Sequence, residues 1–218
     1  MLNRIVIWGA SGHARVVTDI IRLKGDYTVI GFIDDINPER SGEQFCAARI
    51  LGGKEVLHDL FASGVRFANI AVGNCSVRLK IAELLIKHGF QLVSAIHPKA
   101  IIAQDATIGS GSVVVGGSVI NSGVFLGACT IINTGATVDH DCILGDGVHV
   151  GPGAHLGGWV VIGRAAWLGL GALVRDRVRI GAGSIIGMGS VVVRDVPENV
   201  LVYGTPARVI KEIIVDDR

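Results

Sequence analysis

The 218-residue chain carries 20 lysines and arginines against 19 aspartates and glutamates, and half of its residues are hydrophobic. This balance gives no electrostatic reason to expect nucleic acid or an anionic membrane surface as a partner. The four cysteines show neither CxxC nor metal-ligand spacing, which favours reduced thiols in a cytoplasmic protein without a metal centre.

The first 97 residues alternate short apolar strands with helical stretches. Strands are predicted at 5–8, 29–33, 68–72 and 92–96, and helices at 13–23, 55–62 and 76–88. Such alternation is typical of a small α/β domain with a parallel, Rossmann-like sheet.

A glycine-containing loop, Gly9–Gly12, joins the first strand to the first helix, and Asp34 and Asp35 follow the second strand. A helix N-terminus offers N–H groups to an anion, and a carboxylate after the second strand can accept hydrogen bonds from a ribose or a base. The dinucleotide fingerprint GxGxxG is broken, because Ser11 and Ala14 replace glycines. The loop therefore fits a nucleotide-linked ligand better than NAD, although it could also be a simple connection.

A six-residue repeat occupies the second part of the chain. From Ile102 to Val192, every sixth residue is Ile, Leu or Val, which makes sixteen hexapeptides, and a small residue usually follows four positions later. This period predicts a parallel β-helix with triangular coils and one short strand on each face. The aliphatic side chains are expected in the interior and the small ones near the corners.

Two further observations support this interpretation. The stretch from Ile102 to Pro197 contains neither Lys nor Glu, which argues against surface helices. Residues 106–138 carry no charge and are long enough for a membrane span, but they follow the six-residue period rather than a helical one.

With Met1–Arg4 running directly into a strand, we also expect no signal peptide. The predicted domains are 1–97, a β-helix at 98–200 and a tail at 201–218.

The period also decides which side chains are neighbours. Three hexapeptides make one coil, so residues eighteen apart should stack in one column. Because the phase never slips, the β-helix has no long insertion. A functional site must then be built from face and corner residues, from the N-terminal domain, or from a neighbouring chain.

The triplet Asp139-His140-Asp141 interrupts an otherwise bland surface. A histidine flanked by carboxylates can have its ring oriented and its basicity raised, as a general base near neutral pH requires. The alternative is a solvated turn, in which Asp and His are common.

Other aromatic and histidine residues follow at informative spacings. His149 lies half a coil after His140, so it should face another side of the prism, with Trp167 stacked beside it. If the two histidines share a site, two chains must form it. His155 and Trp159 are more simply interpreted as interface packing.

Five features together resemble the bacterial sugar acetyltransferases over nearly the whole chain. They are the Gly-Ala-Ser-Gly-His loop, the Asp-Asp pair, the hexapeptide helix, the Asp-His-Asp triplet and the closing Gly204–Arg208 segment. The family includes N-acetyltransferases of nucleotide-linked amino sugars, such as the bacillosamine-pathway enzyme, and sialic acid O-acetyltransferases. The repeat alone is shared with many other acyltransferases, so the combination carries the resemblance.

The resemblance implies a left-handed β-helix, a homotrimer with intersubunit active sites, and acetyl-CoA in the groove between adjacent prisms. It casts His140 as the base that deprotonates the acceptor and Asp141 as the acid that raises its basicity. Relatives often carry Glu in place of Asp141, so the reach of this shorter side chain decides whether it can act.

The resemblance also implies binding residues. His149 would contact acetyl-CoA, and the backbones of Leu170 and Met188 would line the CoA groove; Arg208 could approach a CoA phosphate. The sugar-nucleotide pocket would comprise Ser11, Gly12, His13, Asp34, Asp35 and Gly73.

These features predict an acetyl-CoA-dependent N-acetyltransferase that acts on a nucleotide-linked amino sugar by direct transfer. The alternative within the family is O-acetylation of a sialic acid or a related sugar. Outside it stand a non-catalytic β-helix binding protein, a γ-carbonic-anhydrase-like zinc enzyme and a nicotinamide oxidoreductase. A zinc site needs three ligands at one point, whereas His140, His149 and His155 fall in three different columns.

Overall fold

The computed structural model describes residues 2–214. It divides into two compact units between Pro98 and Lys99. Met1 and residues 215–218, the last four of the predicted tail, lie outside the described residues.

The N-terminal unit contains seven strands and three α-helices in the described residues. In chain order they are β1 Asn3–Trp8, α1 Gly12–Lys24, β2 Tyr27–Ile33, β3 Gln44–Phe45, β4 Ala48–Gly52, α2 Leu57–Ala62, β5 Phe67–Ile70, α3 Cys75–Lys87, β6 Gln91–Leu92 and β7 Ala95–Ile96. The sheet order is β3-β4-β2-β1-β5-β6, and only the β3–β4 pair is antiparallel. This confirms the predicted parallel α/β architecture.

The local sequence explains where these elements begin and end. Ile5, Val6 and Ile7 form the fully buried centre of β1. Helix α1 ends at Gly25, whose left-handed backbone (φ 75°) lets its N–H bond to the Ile21 carbonyl. Helix α3 begins after Asn74, whose side chain accepts a hydrogen bond from the Val77 N–H.

The β3–β4 hairpin was not predicted. Its turn residues, Cys46 and Ala47, both have positive φ (47° and 59°), as a two-residue type I′ turn requires. Asn and Gly are the residues typical of such a turn, so Cys46-Ala47 does not predict one. The predicted strand at 92–96 is also divided between β6 and β7.

The C-terminal unit is a left-handed parallel β-helix. Its sixteen short strands are β8 Ile101–Ile102, β9 Thr107–Ile108, β10 Val113–Val114, β11 Val119–Ile120, β12 Phe125–Leu126, β13 Ile131–Ile132, β14 Thr137–Val138, β15 Ile143–Leu144, β16 His149–Val150, β17 His155–Leu156, β18 Val161–Ile162, β19 Trp167–Leu168, β20 Leu173–Val174, β21 Arg179–Ile180, β22 Ile185–Ile186 and β23 Val191–Val192. The second residue of each strand is the aliphatic residue of the repeat. From Val114 onward all of these side chains are buried, as predicted.

The strands form three faces. The first face holds β8, β11, β14, β17, β20 and β23, and the second holds β9, β12, β15, β18 and β21. The third face holds β10, β13, β16, β19 and β22 and continues into β24 (Val200–Gly204) and β25 (Ala207–Glu212), an antiparallel hairpin in the segment expected to be a tail. Residues eighteen apart are paired on every face, as in His149 with Trp167.

Turns between the faces form three corners, named here after the face whose strand precedes them. The first corner follows the first face, and the third corner follows the third face. Most of these turns contain one residue with a left-handed backbone, a conformation that glycine adopts without penalty. Within residues 2–214, no helix is both long and apolar enough to cross a membrane.

Candidate active site

His140 and Asp141 occupy a turn of the first corner, directly after β14. Asp141 has a left-handed backbone (φ 58°) at a position where the preceding coil carries Gly123. This conformation brings the Asp141 carboxylate to the side of the neighbouring ring, and Oδ2 lies 2.8 Å from His140 Nδ1. The short aspartate side chain therefore reaches the histidine.

Asp139 has a different function in the same triplet. One of its oxygens accepts hydrogen bonds from the Asn121 amide and from the His140 backbone N–H, each at 2.8 Å. The bond from Asn121, followed by that from the backbone, lowers the pKa of the Asp139 carboxyl. Asp139 thus braces the turn, while Asp141 orients the ring.

The contact with Asp141 assigns the proton of the histidine ring. A carboxylate only accepts hydrogen bonds, so in the neutral His140 ring Nδ1 carries the proton and Nε2 carries a lone pair. Nε2 makes no hydrogen bond within the described part of the chain, and about half of the His140 side chain (52%) is exposed. An oriented lone pair on a half-exposed ring is what a general base needs.

Two residues of the next coil confine the ring. A Cβ on Gly158 would lie 2.6 Å from His140 Nε2, so the ring occupies space that only glycine leaves. The Trp159 ring stands edge-to-face against it, with 6.4 Å between centroids. We did not single out Gly158 from the sequence, although it follows His140 by eighteen residues, the spacing of one coil.

His149 lies on the third face and is 91% buried, with 9% of its surface exposed. Its Nε2 is 3.2 Å from the Asn133 amide nitrogen, and its ring packs edge-to-face on Trp167 at 6.3 Å. The predicted stacking of Trp167 beside His149 is confirmed. An amide nitrogen only donates, so His149 Nε2 accepts this bond.

The two histidines lie on opposite sides of the prism. The first corner, with His140, joins the first and second faces and is therefore opposite the third face, which carries His149. Leu170 and Met188 are exposed turn residues of the third corner, one coil apart. Within one chain, the candidate base therefore lies on the side of the prism opposite the three residues predicted to bind CoA.

The predicted nucleotide loop precedes α1 in the N-terminal unit. Gly9 has φ 114°, and a Cβ there would lie 2.7 Å from the Ala71 carbonyl oxygen, so glycine permits the loop to approach the end of β5. Ser11 is the exposed N-cap of α1, and its side chain makes no capping hydrogen bond. Gly12 is exposed, with open space beside its Cα.

His13 carries a buried ring nitrogen, Nε2, without a hydrogen-bond partner in residues 2–214. Burial, and then the charge of Arg78, lowers the pKa of His13 to about 4, so the ring is neutral at neutral pH. Arg78 is fully buried and donates from Nη1 to the carbonyl oxygens of Val72 (2.8 Å) and Gly73 (3.0 Å). The sequence did not reveal Arg78, because an arginine within a helix ordinarily indicates an exposed face.

The acidic pair is divided between two environments. Asp34 is buried and accepts hydrogen bonds from the Ile36 and Asn37 backbones, the Asn37 amide and Arg40. Both Asp34 oxygens therefore accept hydrogen bonds from the protein, and these bonds stabilise the loop after β2. Asp35 is exposed, and its Oδ1 accepts from the Lys54 N–H at 2.9 Å. Of the two, Asp35 is the more accessible to a ligand.

Arg208 and His155 are the remaining residues that the sequence singled out. Arg208 is on β25, and its Nη1 donates to the Ala207 carbonyl at 2.9 Å. His155 is on the first face and contacts Thr137. Within the described ranges, no three His, Cys, Asp or Glu side chains are grouped so that they could hold a metal ion.

Comparison with known proteins bears on both units. Residues 4–85 match the family model described as the PglD N-terminal domain. The crystal structure of PerB from Caulobacter crescentus, in complex with CoA and GDP-perosamine, is 39% identical; the match covers 97% of this chain and 99% of that chain, with a TM-score of 0.92. The chain belongs to the bacterial sugar N-acetyltransferase family.

Other members of the family agree with this assignment. The acetyltransferase domain of PglB from Neisseria gonorrhoeae, solved with acetyl coenzyme A, is 37% identical, with 96% of this chain and 100% of that chain covered and a TM-score of 0.89. UDP-N-acetylbacillosamine N-acetyltransferase of Bacillus subtilis is 36% identical over 117 residues, 52% of each chain. The chain thus spans about half the length of the curated relatives that it matches.

These comparisons confirm the predicted family and fold, an α/β domain followed by a left-handed β-helix. The roles of the individual site residues stay predictions. Variants of the Caulobacter enzyme in which one histidine is replaced by Asn or Ala have also been solved with CoA and GDP-perosamine.

Proposed function

We propose that this protein transfers the acetyl group of acetyl-CoA directly to the amine of a nucleotide-linked amino sugar. The observation that carries the proposal is the His140–Asp141 pair. Its 2.8 Å contact orients the Nε2 lone pair of a half-exposed ring at a corner of the prism, in a chain whose relatives are named for N-acetylation of UDP- and GDP-linked sugars.

The chemistry follows from that lone pair. The acceptor nitrogen attacks the thioester carbonyl carbon, and His140 Nε2 takes the proton that the nitrogen loses as the C–N bond forms. The tetrahedral intermediate then collapses, the C–S bond breaks, and the CoA thiolate leaves and takes up the proton that His140 Nε2 had accepted, which regenerates the base. Asp141 stabilises the imidazolium formed in between, as a carboxylate beside a catalytic histidine does.

Direct transfer agrees with the state of the nearest thiol. Cys142 follows Asp141 in the chain but is buried, and its Sγ lies 3.2 Å from the Gly157 carbonyl oxygen. Burial raises the pKa of the Cys142 thiol to about 11, which keeps it protonated and unreactive. An acetyl-cysteine intermediate at this position is therefore disfavoured, which supports direct transfer with acetyl-CoA and acceptor bound together.

We place the acetyl-CoA site between two chains of a homotrimer. His149, Leu170 and Met188 lie on the side of the prism opposite His140, which supports a shared site in which a neighbouring chain supplies one of the two sets. The turns of the third corner carry glycines at Gly171 and Gly189, which leaves their backbone open to the pantetheine chain.

The N-terminal unit would recognise the nucleotide part of the acceptor. The N-terminus of α1, with Ser11 and Gly12, suits a phosphate. His13 contributes an unpaired, neutral ring nitrogen, and Asp35 an exposed carboxylate. Gly73 lies in the loop held by Arg78. A cytoplasmic location fits the four free cysteines.

The test is CoA thiol release from acetyl-CoA by the purified protein. It is measured with UDP- and GDP-linked 4-amino sugars and with free sialic acid, and His140→Ala serves as the control. We expect release with one amino sugar and its loss in the variant. Release with sialic acid alone would assign O-acetylation instead, and failure to bind CoA would overturn the acyltransferase proposal.

A further inference from the structure

The first corner differs from the third in the residues that take the left-handed backbone. At the third corner the position is glycine in five successive coils: Gly117, Gly135, Gly153, Gly171 and Gly189. At the first corner, Gly123 is followed by Asp141, Trp159 and Arg177, with φ of 58°, 62° and 62°. A bulky side chain at positive φ is an outlier, and such strain concentrates at functional sites.

One of these three residues already has a reason for its conformation. Asp141 needs the left-handed turn in order to reach His140 Nδ1. Trp159 lies one coil further, and its backbone N–H donates to the His140 carbonyl at 3.0 Å. The same turn geometry therefore places the indole next to the base.

The environment of Trp159 holds the indole in place without covering it. Its ring stands at 88° to that of His140, with 6.4 Å between centroids. The Arg177 guanidinium carbon lies 6.0 Å from the indole centroid, within the range of a cation–π contact. Yet 51% of Trp159 is exposed. The result is a half-open aromatic surface between the candidate base and a positive charge.

We propose that Trp159 is a specificity-determining residue whose indole packs against the ring of the acceptor sugar and holds its amine at His140 Nε2. This inference rests on the proposed function and assigns Trp159 more than interface packing. A pyranose presents C–H groups with partial positive charge, which suit the negative face of an indole. Arg177 positions the indole and does not contact the reacting atoms.

Kinetics of Trp159→Gly and Trp159→Phe test the proposal. Glycine accepts the left-handed backbone, so Trp159→Gly keeps or raises the melting temperature while removing the aromatic surface. We expect its KM for the amino-sugar nucleotide to rise about tenfold or more, with the KM for acetyl-CoA within twofold. Trp159→Phe restores most of the loss.

Ala165→Gly is the matched control. Ala165 also has a left-handed backbone (φ 57°) but lies at the second corner, so its replacement relieves the same strain away from His140. We expect unchanged kinetics for this variant. An unchanged acceptor KM in Trp159→Gly would overturn the proposal, and so would a change in trimer content that explains the whole loss of activity.

Fluorescence gives a second readout that does not need turnover. The chain has three tryptophans, so the signal of Trp159 is the difference between titrations of the wild type and of Trp159→Phe. We expect the nucleotide sugar, and not the nucleotide alone, to change this difference. If both change it equally, the indole contacts the nucleotide and the proposal is wrong. A wild-type protein without transferase activity would instead refute the proposed function.

Discussion

Asp141 shows how a single residue can combine a backbone task with a chemical one. It occupies a turn position for which glycine is the easier choice, and in that conformation its carboxylate meets His140 Nδ1 at 2.8 Å. A left-handed backbone disfavours any side chain relative to glycine. The position is therefore explained by the contact with the ring rather than by the turn.

Replacement of His140 by Ala is expected to lower kcat by ~10²–10⁴, the usual share of a general base. Asp141→Asn should also lower kcat by about 10² or more, because an amide can donate to Nδ1 and so move the ring proton to Nε2. Steady-state kinetics at saturating acetyl-CoA measure both effects. His155→Ala, an exposed histidine of the first face, is the control. A loss below tenfold in His140→Ala would remove it from the role of base.

His13 makes stability depend on pH in a defined window. Its pKa in the folded protein is about 4, below the ordinary 6.5, so between these values the unfolded chain binds a proton that the folded chain does not. The contribution of His13 to the free energy of unfolding is fully present above about pH 6.5. It is lost as the pH falls toward 4, and the loss is about 2 kcal/mol at pH 5. Urea unfolding of wild type and His13→Gln at pH 7 and pH 5 measures the difference. Equal pH dependence in both proteins would contradict this assignment.

At the scale of the element, the coil is the unit that builds the site. Each turn donates backbone hydrogen bonds to the coil before it, as Trp159 does to His140 and Arg177 to Gly158. A side chain in one coil is therefore confined by the residues eighteen or nineteen positions away. The residues next to His140 in the sequence therefore do not include Gly158 and Trp159, which confine its ring.

Gly158→Ala tests this dependence between coils. The new methyl group would overlap the His140 ring at Nε2 and Cε1, so the ring must turn away from its present position. We expect kcat to fall by at least about tenfold, as for a misplaced catalytic group, with little change in melting temperature because the half-exposed His140 side chain can turn away from the new methyl group. Normal kcat would show that the ring adapts, and the confinement argument would fail.

At the scale of the whole molecule, the prism separates the two histidines that the proposed reaction requires. His140 lies at the corner opposite the face that carries His149. In the proposed homotrimer, heterologous contacts would bring these opposite sides together and repeat the site three times.

Mixed trimers of two inactive variants test the intersubunit site. In His140→Ala and His149→Ala homotrimers every site lacks one histidine, whereas a mixed trimer has one complete site. Random 1:1 mixing by co-expression should restore about a quarter of wild-type activity if each site takes one histidine from each chain. If both histidines acted within one chain, mixing would restore nothing.

Several features could be predicted because they depend on short-range pattern alone. The sixteen hexapeptides follow from the six-residue period, and the stacking of Trp167 on His149 follows from the eighteen-residue spacing of one coil. The strand–helix alternation follows from short apolar runs separated by helical stretches. The functional role of the Asp139–Asp141 triplet stays a prediction from residue type.

The tertiary structure decided what depends on long-range approach. Only the fold shows that Arg78 is buried beside His13, that Asp34 is braced by Arg40, and that Gly158 makes room for the His140 ring. The β-helix is specified by the hexapeptide repeat alone, since the repeat allows few other ways to bury one aliphatic residue in six. The environment of each site residue was decided by contacts between distant segments, because burial and hydrogen bonding depend on which segments meet in space.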